Sequence, residues 1–201
     1  LAQGIAHPSV IEAQLDRSIR GHFMAKAAVE MGAWGLWATR DRTSLSRVIG
    51  GERDRIATGI SIGIQDGPAA LVEKARAALA AGYRKIKMKI RPSADLEYIA
   101  AVREELGADA PLMADANSAY SLSQADHLAE LDPFKLLMVE QPLAYDDLRR
   151  HAQLQDRIAT PICLDESITS VDRAEDMLAL GSGRIVNIKP GRVGGFTEAK
   201  A

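Results

Sequence analysis

PLMADAN (Pro111–Asn117), LLMVEQP (Leu136–Pro142) and PICLDES (Pro161–Ser167) share one construction, a short apolar run that stops at an acid. The acids are Asp115, Glu140 and Asp165, each 25 positions from the next. Apolar runs of this length bounded by turn residues read as buried strands. Working outward from them, strands are expected near 56–63, 84–90, 111–116, 136–140, 162–166 and 185–189. Helices are expected near 67–81, 95–106, 121–131, 145–156 and 171–181, with 194–201 opening another. Strands alternating with helices through short loops imply βαβ units and a parallel sheet. The expected fold is therefore α/β, a β/α barrel in which the carboxyl ends of successive strands share one mouth. An open doubly wound sheet is the alternative, but Gly59, Gly63 and Gly67 do not form the GxGxxG turn of a dinucleotide site.

Six such units are too few for a closed eight-unit barrel, which needs about 250 residues. The chain has 201, ends within the helical pattern GGFTEAKA and begins at Leu1 rather than Met, so both ends read as cut. The first 50 residues differ from the rest: Ile11, Leu15, Ile19, Met24, Ala27, Ala28, Met31, Trp34 and Leu36 form apolar stripes at helical spacing, without strands. Gly50-Gly51 marks the change, and residues 51–201 carry the strand and helix alternation.

Composition bounds the partners. With 25 basic and 27 acidic residues and no basic stripe interleaved with aromatics, nucleic acid is not expected. No apolar stretch approaches the roughly 18 residues of a membrane span, so no membrane association is expected either. The one cysteine, Cys163, lies inside the apolar run PICL and reads as a small buried hydrophobe in a reducing, cytoplasmic setting. His7, His22, His127 and His151 fall outside the strand ends and read as structural or solvated.

KIKMKI (Lys85–Ile90) sets Lys85, Lys87 and Lys89 on one strand face and Ile86, Met88 and Ile90 on the other. Two readings of the lysine face stay open here. It belongs either to an edge strand guarded by charge or to an interior site, where unpaired ammonium groups would cost several kcal/mol unless an anion faced them. In the second reading Lys87 and Lys89, nearer the carboxyl end, are the site candidates, and Lys85 is solvated or structural. The acids likewise have a bland reading as helix N-caps. Their sharper one is a divalent site, since a hard ion such as Mg²⁺ takes oxygen donors at about 2.1 Å and keeps positions for water or substrate. Ser118 and Ser167 read as caps. Acids flanked by Lys87 and Lys89 on one side and Lys189 in RIVNIKPGRVGG on the other point to metal-assisted proton abstraction.

With these residues assembled, the chain resembles the enolase superfamily, in the subgroup with a KxK motif. The likeness runs from RGHFMAKAAVEMGAWGLWA through SIGIQ, DANSAY, EQPLAYDDL and CLDES to NIKPGRVGG, segments most similar to o-succinylbenzoate synthases and N-acylamino acid (N-succinylamino acid) racemases. The resemblance implies a (β/α)7β barrel, of which about six units are present, with residues 1–50 as the end of an α+β capping domain and the approach to the barrel. It implies metal ligation by Asp115, Glu140 and Asp165, Mg²⁺ (or Mn²⁺) as cofactor, and acid/base roles for Lys89 and Lys189. Lys87 and Asn117 support the site, and Arg192 matches an arginine typical of members with racemase activity. A small carboxylate substrate, menaquinone-pathway dehydration and a homo-oligomer are its further implications, with racemisation as the alternative activity. A metal-free Schiff-base aldolase barrel and an inactive fragment are the readings from other classes. One departure stands out: Trp34-Gly35-Leu36 replaces the family's Trp-Asp-Leu, a glycine that costs about 1 kcal/mol within a helix.

Overall fold

A computed structural model describes residues 7–201. In chain order its helices and strands are α1 (Ser9–Ser18), α2 (Phe23–Arg40), α3 (Leu45–Val48), β1 (Gly59–Ile62), α4 (Pro68–Ala80), β2 (Lys85–Lys89), α5 (Leu96–Leu106), β3 (Leu112–Asp115), α6 (Ala125–Ala129), β4 (Val139–Glu140), α7 (Leu148–Gln155), β5 (Ile162–Leu164), α8 (Val171–Leu180), β6 (Ile185–Val186), α9 (Pro190–Val193) and α10 (Phe196–Lys200). Two compact units emerge. One holds the described residues up to Arg55 with Ile168–Ala174 and Ile188–Ala201, and the other holds Ile56–Ser167 and Glu175–Asn187.

The second unit carries the sheet. All strand pairs are parallel and the spatial order is β1-β2-β3-β4-β5-β6, the order of the sequence. A doubly wound sheet reverses its order at a switch point, and no reversal occurs, so the winding is that of a β/α barrel. Among the described residues no pairing joins β6 back to β1.

Alternation along the strands separates two chemistries. On one face the register aligns Ile86 with Leu112, and Met88 with Ala114, Val139 and Ile162, all fully buried. On the other face it aligns Lys89 with Asp115, Glu140, Cys163 and Ile185. Helix α4 packs on β1, β2 and α5, supplying Leu71, Ala75 and Ala78 to the apolar side.

Several elements are shorter than their sequence patterns. β1 starts at Gly59, because Arg55 to Thr58 are exposed. β4 and β6 shrink to two residues each, although Leu137 and Asn187 still donate backbone bonds to Leu112 and Leu164 at 2.8 and 2.9 Å. The helix expected over 121–131 is the short α6 with a 3-10 turn on either side, the second held by Pro133 and a left-handed Lys135. Lys189 lies beyond β6, as the extended residue that precedes α9.

Two buried polar anchors brace the loops of this unit. His151, fully buried, accepts from the Leu143 N–H through Nε2 at 3.1 Å and lies 2.6 Å from the Asp147 carbonyl through Nδ1. Burial holds its pKa below the ordinary histidine value. Asp95 caps α5, accepting from the Leu96 N–H through Oδ1 at 2.7 Å, while its Oδ2 meets Tyr120 OH at 2.8 Å and His127 Nε2 at 2.7 Å. Burial works against its charge, yet these partners outweigh burial and hold the carboxyl below its usual range.

In the other unit α2 packs on α9 and α10. Glu30, fully buried, accepts from Trp34 Nε1 at 2.6 Å, from the Phe196 N–H at 2.8 Å and from the Thr197 N–H at 3.0 Å, so a carboxylate sits at the positive start of α10. Gly195, with φ at 143°, leaves the room: a Cβ there would stand 2.2 Å from Glu30 Oε2. Gly35, the departure from Trp-Asp-Leu, faces open space. Among the described residues no helix is long and apolar enough to cross a membrane.

Ile86→Ala removes a side chain with no exposure from the centre of the apolar face and is expected to cost about 3 kcal/mol in urea unfolding. Asp95→Asn is expected to cost about 2 kcal/mol at pH 7. Because the folded pKa is depressed, that stabilisation is present above the unfolded value of about 3.9 and disappears as pH falls through the folded one. Unfolding curves of wild type and variant should therefore converge on acidification below pH ~4.

Candidate active site

The polar row of the sheet gathers most of the expected residues. Asp115 and Glu140 end β3 and β4 on the same rung, 1% and 0% exposed. Two carboxylates so placed need positive charge, since buried anions left uncompensated are strongly destabilising. Lys87 provides it: Nζ donates to Glu140 Oε1 and Oε2 at 3.0 and 2.9 Å and lies 3.0 Å from Asp115 Oδ2. Lys89 Nζ approaches the same Asp115 oxygen at 2.8 Å and donates to Asn117 Oδ1. The interior reading of the lysine face is the one the structure adopts, and β2 is no edge strand.

The charges sort the pKa values. Burial pushes Asp115 upward, but Lys89 and Lys87 outweigh it and its pKa falls below the ordinary value. Burial raises Glu140, with the charge of Asp115 adding to it, and this exceeds the opposing pull of Lys87 and Asn187. Lys87 loses to burial less than it gains from the two acids, so its pKa is raised. Cys163 is buried and pushed up to about 12, which fits a hydrophobe rather than a nucleophile.

Asp165 is 1% exposed and lies past the end of β5. Its rung differs: Glu140 aligns with Cys163, so Asp165 stands two residues, roughly 6–7 Å, further along. Among the described residues no three His, Cys, Asp or Glu side chains are gathered closely enough to hold one metal ion. The donor chemistry nonetheless suits a hard dication, with three buried carboxylates on neighbouring strands; in the structure Lys87 sits between two of them.

Three further residues belong here: Asn187 and Gln141, which the strand patterns did not single out, and Glu166, which follows Asp165 as a second candidate ligand at that strand end. Asn187 Nδ2 donates to Glu140 Oε1 at 3.0 Å. Its signal was its spacing, two residues before Lys189. Gln141, buried and left-handed at φ 41°, accepts from the Asp165 and Ser167 N–H groups at 3.1 and 3.2 Å and donates to Ser167 Oγ at 2.7 Å. Glu166 accepts from Asn117 Nδ2 at 3.1 Å. Ser118 and Ser167, expected as helix caps, are not: Ser118 occupies a left-handed turn with Asn117, and Ser170 caps α8 by accepting from the Arg173 N–H at 3.2 Å. Ser61, Met113, Cys163 and Asn187 join Lys87 and Glu140 around a concave space of about 390 Å³.

Lys189 and Arg192 belong to the other compact unit. Lys189 is exposed, and Arg192 is half-buried beside a hollow of about 420 Å³ that it lines with His22, Phe23 and Thr169.

Known proteins resemble this chain along its whole length. Residues 70–201 match the family described as Enolase C-terminal domain-like. An o-succinylbenzoate synthase of Geobacillus stearothermophilus is 53% identical over 200 residues, covering 100% of this chain and 53% of that protein. An N-succinylamino acid racemase of an Amycolatopsis species is 48% identical over 181 residues, covering 90% of this chain and 49% of that protein. A dipeptide epimerase from Enterococcus faecalis V583, solved in complex with Mg and the dipeptide L-Leu-L-Tyr, superposes with a TM-score of 0.88 at 28% identity, over 97% of this chain and 56% of that one. The chain thus spans about half the length of the curated relatives it matches. The chain belongs to the enolase C-terminal domain-like family of the enolase superfamily.

Proposed function

We propose that the protein carrying this chain removes the α-proton of a small carboxylate substrate and eliminates a β-hydroxyl, acting as an o-succinylbenzoate synthase. The observation that supports this most is the row of Lys87, Lys89, Asp115 and Glu140, in which ammonium groups lie within 3.0 Å of buried carboxylates at strand ends. In this reading Asp115, Glu140 and Asp165 would hold Mg²⁺ or Mn²⁺, which would supply charge to the substrate carboxylate and to the ene-diolate left by proton removal.

The chain's own residues do the proton work. Lys89 is one acid/base group, and the Asn117 amide oxygen holds its Nζ in place. To act as a base Lys89 must be neutral. Lys189 is the second acid/base group, serving the opposite face of the substrate. Lys87 tempers the negative charge of Asp115 and Glu140, and Asn187 fixes one Glu140 oxygen. Residues 1–50 are read as the end of a capping domain and 51–201 as the partial barrel. Cytoplasmic location and a homo-oligomeric state complete the proposal.

A second reading, racemisation of N-succinylamino acids, is favoured by the Amycolatopsis relative and by Arg192, three residues after Lys189. Racemisation needs proton return from the opposite face, whereas dehydration needs a leaving β-hydroxyl. Only substrate assays separate them.

With full-length protein and Mg²⁺, the cyclohexadiene precursor should yield o-succinylbenzoate, EDTA should stop the reaction, and borohydride with substrate should trap no adduct. Lys89→Ala should lower kcat by about 10³-fold. Turnover of an N-succinylamino acid with the precursor left untouched would replace the synthase by the racemase. Borohydride trapping with EDTA-resistant activity would replace both by a Schiff-base enzyme.

A further inference from the structure

We propose that Asp95, Tyr120 and His127 are positioning residues for Lys89, clamping the turn that presents Asn117 to its ammonium group; the inference rests on the acid/base role given above to Lys89. Both sides of the Lys89–Asn117 contact lead back to one carboxylate. After Lys89 the chain is tied down at once, with Ile90 N–H donating to the Asp115 carbonyl at 2.9 Å. Arg91 and Ala94 then exchange backbone hydrogen bonds of 3.3 and 2.8 Å, closing a tight loop that delivers Asp95, 8% exposed.

On the other side Asn117 and Ser118 are both left-handed, at φ 41° and 63°, a conformation that non-glycine residues keep only where their surroundings impose it. Ser118 N–H donates to the Gln141 carbonyl at 2.7 Å, Ala119 N–H to Ala116 at 2.9 Å and Tyr120 N–H to Pro142 at 3.1 Å. The Tyr120 hydroxyl then reaches Asp95 Oδ2 at 2.8 Å, beside His127 Nε2 at 2.7 Å. The Tyr120 and His127 rings stack with centroids 6.3 Å apart.

Helix capping alone does not account for this arrangement. The cap of α5 uses Asp95 Oδ1 on the Leu96 N–H, whereas Tyr120 and His127 both take Oδ2. The second oxygen therefore joins the segment following Lys89 to the segment following Asn117 and to α6. The three side chains bond to one another and to the Leu96 N–H, so their effect on Lys89 passes through the backbone turn.

The test uses full-length protein with Tyr120→Phe, which deletes one hydroxyl, and His127→Gln as a second variant. Steady-state kinetics are measured with and without Asn117→Ala. In parallel, peptide mass spectrometry follows acetylation of Lys89 by acetic anhydride relative to the exposed Lys74 of α4. Each clamp variant should lower kcat about tenfold with KM within about twofold. That loss should vanish in the Asn117→Ala background, and relative acetylation of Lys89 should change severalfold. A lowered melting temperature with wild-type kcat and wild-type Lys89 labelling overturns the clamp and leaves Asp95 a stabilising cap. If the wild-type protein turns over neither candidate substrate, the functional reading fails on its own, and the labelling ratio alone decides the clamp: unchanged in both variants, it is overturned.

Discussion

A lysine ammonium held between two buried acids governs the polar face of this sheet. Asp115 and Glu140 share a rung and have almost no exposure, so their mutual repulsion is little screened by water. Lys87 lies about equally close to both, and the outcome is asymmetric: Asp115, which also has Lys89, is driven below the ordinary carboxylate range, while Glu140 stays above it. A dication at the same acids would compete with that ammonium for the same oxygens. The lysine thus keeps the row of acids compatible with a folded sheet, and any cation that binds there must displace or share its place.

The opposite face makes the row possible. Ile86, Met88, Leu112, Ala114, Val139 and Ile162 are wholly buried, and a one-residue slip of β2 would exchange Ile86 and Met88 for lysines, as a slip of β3 or β4 would bring Asp115 or Glu140 to the apolar side. Hydrophobic burial on one side therefore sets which side chains appear on the other. The strand residues cannot be tuned for chemistry independently of the core, which leaves the loops beyond the strand ends as the adjustable part. Gln141 and Asn117 show this, each left-handed and each turning the chain so that a side-chain amide serves its neighbours.

Much of this was legible in the residues. The helices over α4, α5, α7 and α8 follow from apolar periodicity and their bounding glycines, prolines and acids, and the lysine alternation in KIKMKI marks one polar face. Glu140 and Asp115 were legible because each ends an apolar run. Other features had no local signal. The shortening of β4 and β6 reflects how little of each run is paired on both sides, and the role of Gln141 depends on a partner strand 24 residues away. Asp95 gave no local sign of its part, because its second oxygen is engaged by Tyr120 and His127, 25 and 32 residues further on.

The sequence by itself determined the order of strands and helices, the face on which the lysines and acids lie, and the family to which they point, because side-chain alternation and apolar spacing are local properties of the backbone. Only the tertiary structure decided which acids stand level with which lysines. The equal spacing of Asp115, Glu140 and Asp165 suggested three equivalent positions. The register between parallel strands, set by packing and backbone hydrogen bonding across the sheet, levels the first two and carries the third one pleat further along.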